Sequence, residues 1–327
     1  MTEASPPTAA SPRPSAWSRW TALLATREAA TSLALTRIAL GTSLVAHVAH
    51  MLASGIDALA WTDRAFGGFR VLNATPFAEA TPGLAHAVGL VTLVSGILFA
   101  TGTFTRLTTV TTWLGFRWLG DLNGHAGGSY DEVFLDVLFV LIWSRCGQAL
   151  SVDAWRARAA GTPEALVPAW PRWVIVGQLV TIYASTGLQK VSAGWLPVGP
   201  RDALWYILHQ PDWQRRAFTV PPWAFPLTQF ATAFTWVWEV GAPVLLLAFW
   251  WRRTRTRGGW LRAQANRLDL RAWWLVAGVA LHLGIESLLE VGGFSWAMLS
   301  LYACAWHPDE WARVGRRLQE KGRTGTR

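Results

Sequence analysis

Apolar runs close to the thickness of a bilayer recur from about residue 33 to residue 306, separated by short polar or Gly/Pro-bearing connections. A helix rising 1.5 Å per residue needs roughly 20 mostly apolar residues to cross the hydrocarbon core. Eight spans are expected on this pattern: about 33–53, 84–102, 107–122, 130–146, 171–190, 224–250, 272–290 and 293–306. The third is short and interrupted by Arg117 and Asp121. Between the fifth and sixth lies ALWYILHQPDW, residues 203–213, too short to span. Its tryptophans and tyrosine suit the headgroup layer, so an interfacial or re-entrant helix is expected there. The expected fold is all-α and polytopic. A Pro/Ala/Ser-rich lead-in over 1–26, expected to be disordered, precedes one transmembrane domain over 27–312, and a basic tail covers 313–327.

Composition agrees with the pattern. The chain is 52% hydrophobic and 15% charged, with 23 tryptophans, against roughly 25% charged in soluble domains. The net charge of +9 does not point to nucleic acid, because the arginines gather in a few connections and the tail, as they do where charge sets membrane topology. The stretch after the sixth span, RRTRTRGGWLRAQANRLDLR, holds seven arginines and one acid, and the segment after Trp306 holds six Lys/Arg. Both are expected inside. Counting back places the 147–170 loop and the N-terminus inside as well, and 54–83, 123–129, 191–223 and 291–292 outside. Both termini are then cytoplasmic. Cys146 and Cys304 fall near the cytoplasmic ends of apolar runs, where thiols stay reduced. A composition heavy in Ala, Arg, Gly and Trp points to a bacterial inner membrane.

Charge at membrane depth costs roughly 2.5–3.5 kcal/mol or more per group and faces a bundle interior or cavity. Five places need such an explanation. His282, Glu286 and Glu290 follow one helical face at i, i+4 and i+8, either a proton path from the outer surface or a set of interfacial and core hydrogen bonds. An i, i+4 His/Glu pair also suits a metal, but the zinc-binding HExxH pattern is absent and no metal is expected. Glu239 sits within TWVWEVGAP and needs a partner, for which Arg37 and Arg117 are candidates. In FRWLGDLNGHAGGSYDE, Asn123 and His125 enter a glycine-rich turn that backbone or ligand can approach closely, with Asp131, Glu132 and Asp136 as an acidic rim. His47 and His50, at i and i+3, read as core or interface residues.

The fifth place is Lys190. Only two of the 29 basic residues are lysines, Lys190 and Lys321. At a wet helix end an ammonium snorkels to water. In a dry pocket it sheds its proton and becomes a base or nucleophile, which a guanidinium does not. Both readings fit the spacing.

The segment YASTGLQKVSAGW, residues 183–195, resembles the Y-x3-G-x2-K-x4-W segment of the vitamin K-dependent gamma-carboxylase family and the wider horizontally transferred transmembrane (HTTM) domain. SLALTRIALG with Arg37, NGHAGGSY, ALSVDAW, WVWEVGAP and HLGIESLLEVGGFSWAML are similar to family segments in the same order, so the likeness runs from about residue 27 to 312. The resemblance implies a base at Lys190, assisted by His125, that starts oxidation of reduced vitamin K or menaquinone with oxygen and carbon dioxide as co-reactants. It implies a quinol pocket near Asn123, Tyr183, Trp195, Glu239 and His282, with Glu286 of the seventh-span ladder beside it. The expected function is carboxylase- or epoxidase-like lyase chemistry on a lipid quinol. The alternatives are a non-catalytic membrane protein that binds or moves a lipid or small molecule through the same polar pocket, and a helper subunit of another membrane complex.

Overall fold

The computed structural model describes residues 15–69, 80–123 and 127–324. Its helices in chain order are α1 (Ala16–Ala25), α2 (Thr31–Ala53), α3 (Ile56–Ala60), α4 (Pro82–Thr101), α5 (Thr105–Leu122), α6 (Ser129–Trp143), α7 (Val152–Ala159) and α8 (Trp170–Gln189). They continue as α9 (Ala203–Leu208), α10 (Phe225–Val240), α11 (Pro243–Arg253), α12 (Trp260–Leu268), α13 (Leu270–Leu288), α14 (Phe294–Leu301) and α15 (Pro308–Thr324). Two short strands, β1 (Arg27–Glu28) and β2 (Val167–Pro168), pair antiparallel. The fold is all-helical, as the pattern predicts, and a helix stands at each place where a span is expected.

The helix ends follow local chemistry. Thr81 caps α4 by accepting a hydrogen bond from the Leu84 amide, and Pro82 occupies the first turn, where no amide donor is needed. Gly102 ends the same helix in a left-handed conformation. The expected sixth span is broken into α10 and α11, bent by 54° at Gly241–Ala242 ahead of Pro243. Proline lacks the amide that would continue the ladder, which accounts for the break. A second bend of 43°, at Asp269, separates α12 from α13. Asp269 takes a left-handed φ of 43°, and its side chain accepts from the Ala272 amide.

Two helices, Thr31–Ala53 and Pro82–Thr101, are long and apolar enough to cross a membrane by length and composition; taking each bent pair as one span brings the number to four. On α4 the apolar side chains Leu90, Val91, Val94 and Ile97 are all exposed along one face, the arrangement of a lipid-facing stripe. The protein is an integral membrane protein with α2 at its centre. Leu33, Leu40 and Leu44 of α2 are fully buried against a core that includes Phe99, Phe134, Leu138, Ile175 and Leu179.

Residues 16–25 lie in the segment expected to be disordered, yet they form a helix. Ser15 accepts from the Ser18 amide to cap it, and Trp17 and Trp20 are mostly exposed along it. Arg37, considered above as a partner for Glu239, does another job. Its guanidinium is fully buried and donates to the carbonyls of Cys146 (2.8 Å) and Leu150 (2.5 Å), tying α2 to the loop after α6. The SVD segment next to that loop is also architectural. Ser151 caps α7, and the Asp153 carboxylate accepts from the Phe104 amide and from the amide and hydroxyl of Thr105, closing the start of α5.

Candidate functional site

Tyr183 and Gly187 on α8 and Lys190, the residue that caps its C-terminal end, stand at i, i+4 and i+7, so they share one face across two turns. That face meets α10. A Cβ on Gly187 would stand 2.8 Å from the Val240 amide nitrogen and 2.9 Å from Cβ of Glu239, so only glycine lets the two backbones come this close. The approach delivers Glu239 to Lys190. Nζ of Lys190 donates to Oε2 of Glu239 at 2.6 Å, with the two side chains 18% and 10% exposed. Arg37 and Arg117 are therefore corrected as partners of Glu239: Arg117 pairs within its own helix with Asp121, at 2.7 Å. Trp195 completes the group, with Nζ of Lys190 5.1 Å from its ring centroid. The Y-x3-G-x2-K-x4-W spacing is thus a spatial cluster as well as a linear motif.

Two turns deeper, the Tyr183 hydroxyl lies 2.6 Å from Nε2 of His282 and 2.9 Å from the Tyr302 hydroxyl. Tyr183 is 3% exposed and His282 is 1% exposed, so both hydrogen bonds are dry. Trp238 and Trp274 stack beneath them, ring centroids 4.3 Å apart at 14°, and each indole N–H donates to the other residue's carbonyl. Gly278 makes room: a Cβ there would come within 2.0 Å of the Tyr302 hydroxyl. Tyr302, Trp238, Trp274 and Gly278 carry no motif that marks them in the sequence. Their roles follow from α8, α10, α13 and α14 converging.

The ladder on α13 divides. His282 belongs to the tyrosine network, while Glu286 turns to Arg215 at 2.9 Å and Glu290 lies 3.8 Å from the same guanidinium. The chain around Arg215 is held against the end of α13, since the Arg215 amide donates to the Leu288 carbonyl and the Glu290 amide to the Trp213 carbonyl. A continuous titratable row from Glu290 to His282 does not form. Spacing alone concealed Arg215, which comes from the connection before α10.

Asn123 lies elsewhere. Its Nδ2 donates to the Ala60 carbonyl at 2.8 Å, and it lines a cavity of about 480 Å³ together with His47, Trp61, Arg117, Asp131 and Glu132. His47 sits edge-on to Phe116 and Tyr130 on that cavity's wall. Lys190 is not among the residues lining it. His125 falls outside the described residues. Of the expected site, the structure brings together Tyr183, Lys190, Trp195, Glu239 and His282; it places Glu286 with Arg215 and Asn123 in the separate cavity.

A family model for the HTTM domain matches residues 26–311. The chain belongs to the HTTM domain family. No curated protein and no solved structure matches it. Within the HTTM chain, the matched range takes in both clusters, the Lys190–Glu239 pair and the Tyr183–His282–Tyr302 network.

Proposed function

We propose that this HTTM protein performs carboxylase- or epoxidase-like chemistry on a lipid quinol, with Lys190 as the base that takes the quinol proton. The observation that carries this reading is the 2.6 Å Lys190–Glu239 contact at the end of α8, buried enough to exclude bulk water and open enough to be reached. A neutral amine is needed to accept a proton. Glu239, in contact with Nζ, can hold the proton that Lys190 must release; when Lys190 then takes the quinol proton, the new ammonium is balanced by the quinolate and donates to the carbonyl oxygen of the protonated Glu239. Trp195 offers a flat apolar wall for an aromatic ring beside the amine. The Tyr183 hydroxyl and His282 supply a hydrogen-bonded pair two turns below, able to orient a quinol oxygen. The cofactor would be reduced vitamin K or menaquinone, with oxygen and carbon dioxide as co-reactants.

The supporting arrangement is an eight-span chain in a bacterial inner membrane with both termini cytoplasmic. Lys190 ends a helix of 20 residues that begins near Arg172, so the two positions are separated by roughly 27 Å along the axis, close to one hydrocarbon thickness. Lys190 then faces outward. A second reading, binding or passage of a lipid or small molecule without chemistry, is favoured by the separate polar cavity of about 480 Å³ around Asn123 and His47.

Purified protein incubated with reduced menaquinone and oxygen should form quinone epoxide, detected by mass spectrometry. Lys190→Arg keeps the charge and the pair but not the releasable proton, so turnover should stop while the protein stays folded. Full turnover in that variant removes Lys190 from the chemistry. Absence of turnover by the wild-type protein with several quinols, alongside saturable binding that Asn123→Ala weakens, favours the second reading.

A further inference from the structure

At the end of the bundle away from Lys190, the chain builds a second, strongly basic pocket. Its volume is about 370 Å³, within the range of small-ligand sites. Five guanidiniums line it: Arg27 from β1, Arg172 from the start of α8, Arg252 and Arg253 from the end of α11, and Arg271 from the start of α13; His307 joins them. Among the described residues, two carboxylates, Glu28 and Glu310, line the same space. Both are already engaged. Glu28 receives Nε and one Nη of Arg172 at 2.7 and 2.9 Å. Glu310 receives both Nη atoms of Arg271 at 2.7 and 2.8 Å and also meets Arg252, which shares Asp269 with Arg271. Arg27 and Arg253 meet no carboxylate among the described residues, although both line the pocket.

Like charges gathered this densely repel one another unless an anion lies between them. The surroundings choose the kind of anion. Trp173 and Phe249 form the apolar part of the wall, and Trp250, Trp260 and Trp273 stand 44–72% exposed around the same ends of α11, α12 and α13. Exposed tryptophan beside arginine at the ends of apolar helices is the composition of a headgroup layer. Arginine forks match phosphate oxygens in pairs, and Trp173 and Phe249 set an apolar surface beside them.

We propose that this pocket is a binding site for the phosphate headgroup of an anionic membrane phospholipid, held by Arg27 and Arg253 over a floor of paired guanidiniums. The site is independent of the quinol reading, since it lies at the other end of the bundle. It ties the N-terminal strand, the start of α8, the end of α11, the start of α13 and the start of α15 to one lipid.

The test is native mass spectrometry of the full chain, delipidated in neutral detergent and titrated with phosphatidylglycerol, phosphatidylcholine or inorganic phosphate. Wild-type protein should retain phosphatidylglycerol at least tenfold more tightly than phosphatidylcholine. The double variant Arg27→Gln/Arg253→Gln leaves the Arg172–Glu28 and Arg271–Glu310 pairs intact and should lose that preference. Arg316→Gln/Arg317→Gln, on α15 outside the pocket, should keep it. Equal retention of the two lipids, or an unchanged preference in the Arg27/Arg253 variant, overturns the proposal. So does inorganic phosphate displacing phosphatidylglycerol at equal concentration, because the ligand would then be a soluble phosphate. If the double variant does not fold, Arg27→Lys/Arg253→Lys keeps the charge but loses the fork. It should bind phosphatidylglycerol measurably more weakly than wild type, and undiminished binding counts against the site.

Discussion

Lys190 and Glu239 are each other's partners in a largely dry setting, and that sets what their substitution does. Removing one partner leaves an uncompensated buried charge, so Lys190→Met should cost about 3 kcal/mol of unfolding free energy in detergent. Adding Glu239→Gln to that variant should recover part of the loss, with a coupling of roughly 1–3 kcal/mol in a double-mutant cycle. Strict additivity of the two changes would mean that the pair contributes nothing as a pair. Tyr183→Phe is a narrower probe. It strips the hydroxyl that joins His282 to Tyr302 and leaves two buried polar groups short of a partner, at a cost of about 1–3 kcal/mol in the same assay. In quinol turnover, Tyr183→Phe should lower the rate without abolishing it, whereas Lys190→Arg should abolish it.

Between helices, the deciding feature is how closely α8 and α10 approach. Gly187→Ala puts a methyl 2.8 Å from a backbone nitrogen of α10, and backbone yields less readily than a side-chain tip. The helices must part, costing about 1–3 kcal/mol and lengthening the Lys190–Glu239 contact. Around Gly177, on the same helix, a methyl would meet nothing within 4 Å, so Gly177→Ala should be neutral or stabilising by up to about 1 kcal/mol. Matched melting curves of the two variants separate helix propensity from helix contact: equal effects would mean that Gly187 is not a contact residue. The sequence shows Y-x3-G-x2-K-x4-W as a stripe, and helical spacing is enough to put Tyr183, Gly187 and Lys190 on one face. It does not show which helix the stripe meets, because partner choice depends on the fit of two surfaces distant in sequence.

For the molecule as a whole, two clusters mark its two ends. At the basic end, burial works to raise the Glu310 pKa, but hydrogen bonds from Arg271 and the His307 amide and the charges of Arg271 and Arg252 outweigh it. The carboxyl is brought down to about 2 from an ordinary 4.5. A carboxylate with a depressed folded pKa stabilises the fold above its ordinary value and loses that contribution as pH falls toward the folded value. Unfolding midpoints should therefore drop between about pH 4.5 and pH 2, and Glu310→Gln should flatten that part of the profile while lowering stability at neutral pH. The orientation of the ends has its own test. Both native cysteines are buried and give no background. Val198→Cys, at a position 95% exposed, should react with a membrane-impermeant maleimide in intact cells. Glu164→Cys should react only after lysis. The reverse pattern would invert the proposed topology.

The sequence by itself determined the class of molecule: an all-helical membrane protein of the HTTM domain family, with helices at each expected span. Length, hydropathy and helical spacing are local quantities, and they sufficed because the bilayer demands helices whose backbone polar groups are satisfied within the segment. Arg37 and Glu239 were legible as polar groups that need partners, since their cost at depth is also local. Their partners were not. Arg37 took the carbonyls after α6, Glu239 took Lys190, and Glu286 took Arg215 from a connection that carries no motif. Tertiary structure decided those pairings, because an ion pair forms where packing brings two distant segments within a few ångströms. In this chain that proximity is set by a missing Cβ at Gly187, a break ahead of Pro243 and the seating of residues 213–215 against the end of α13.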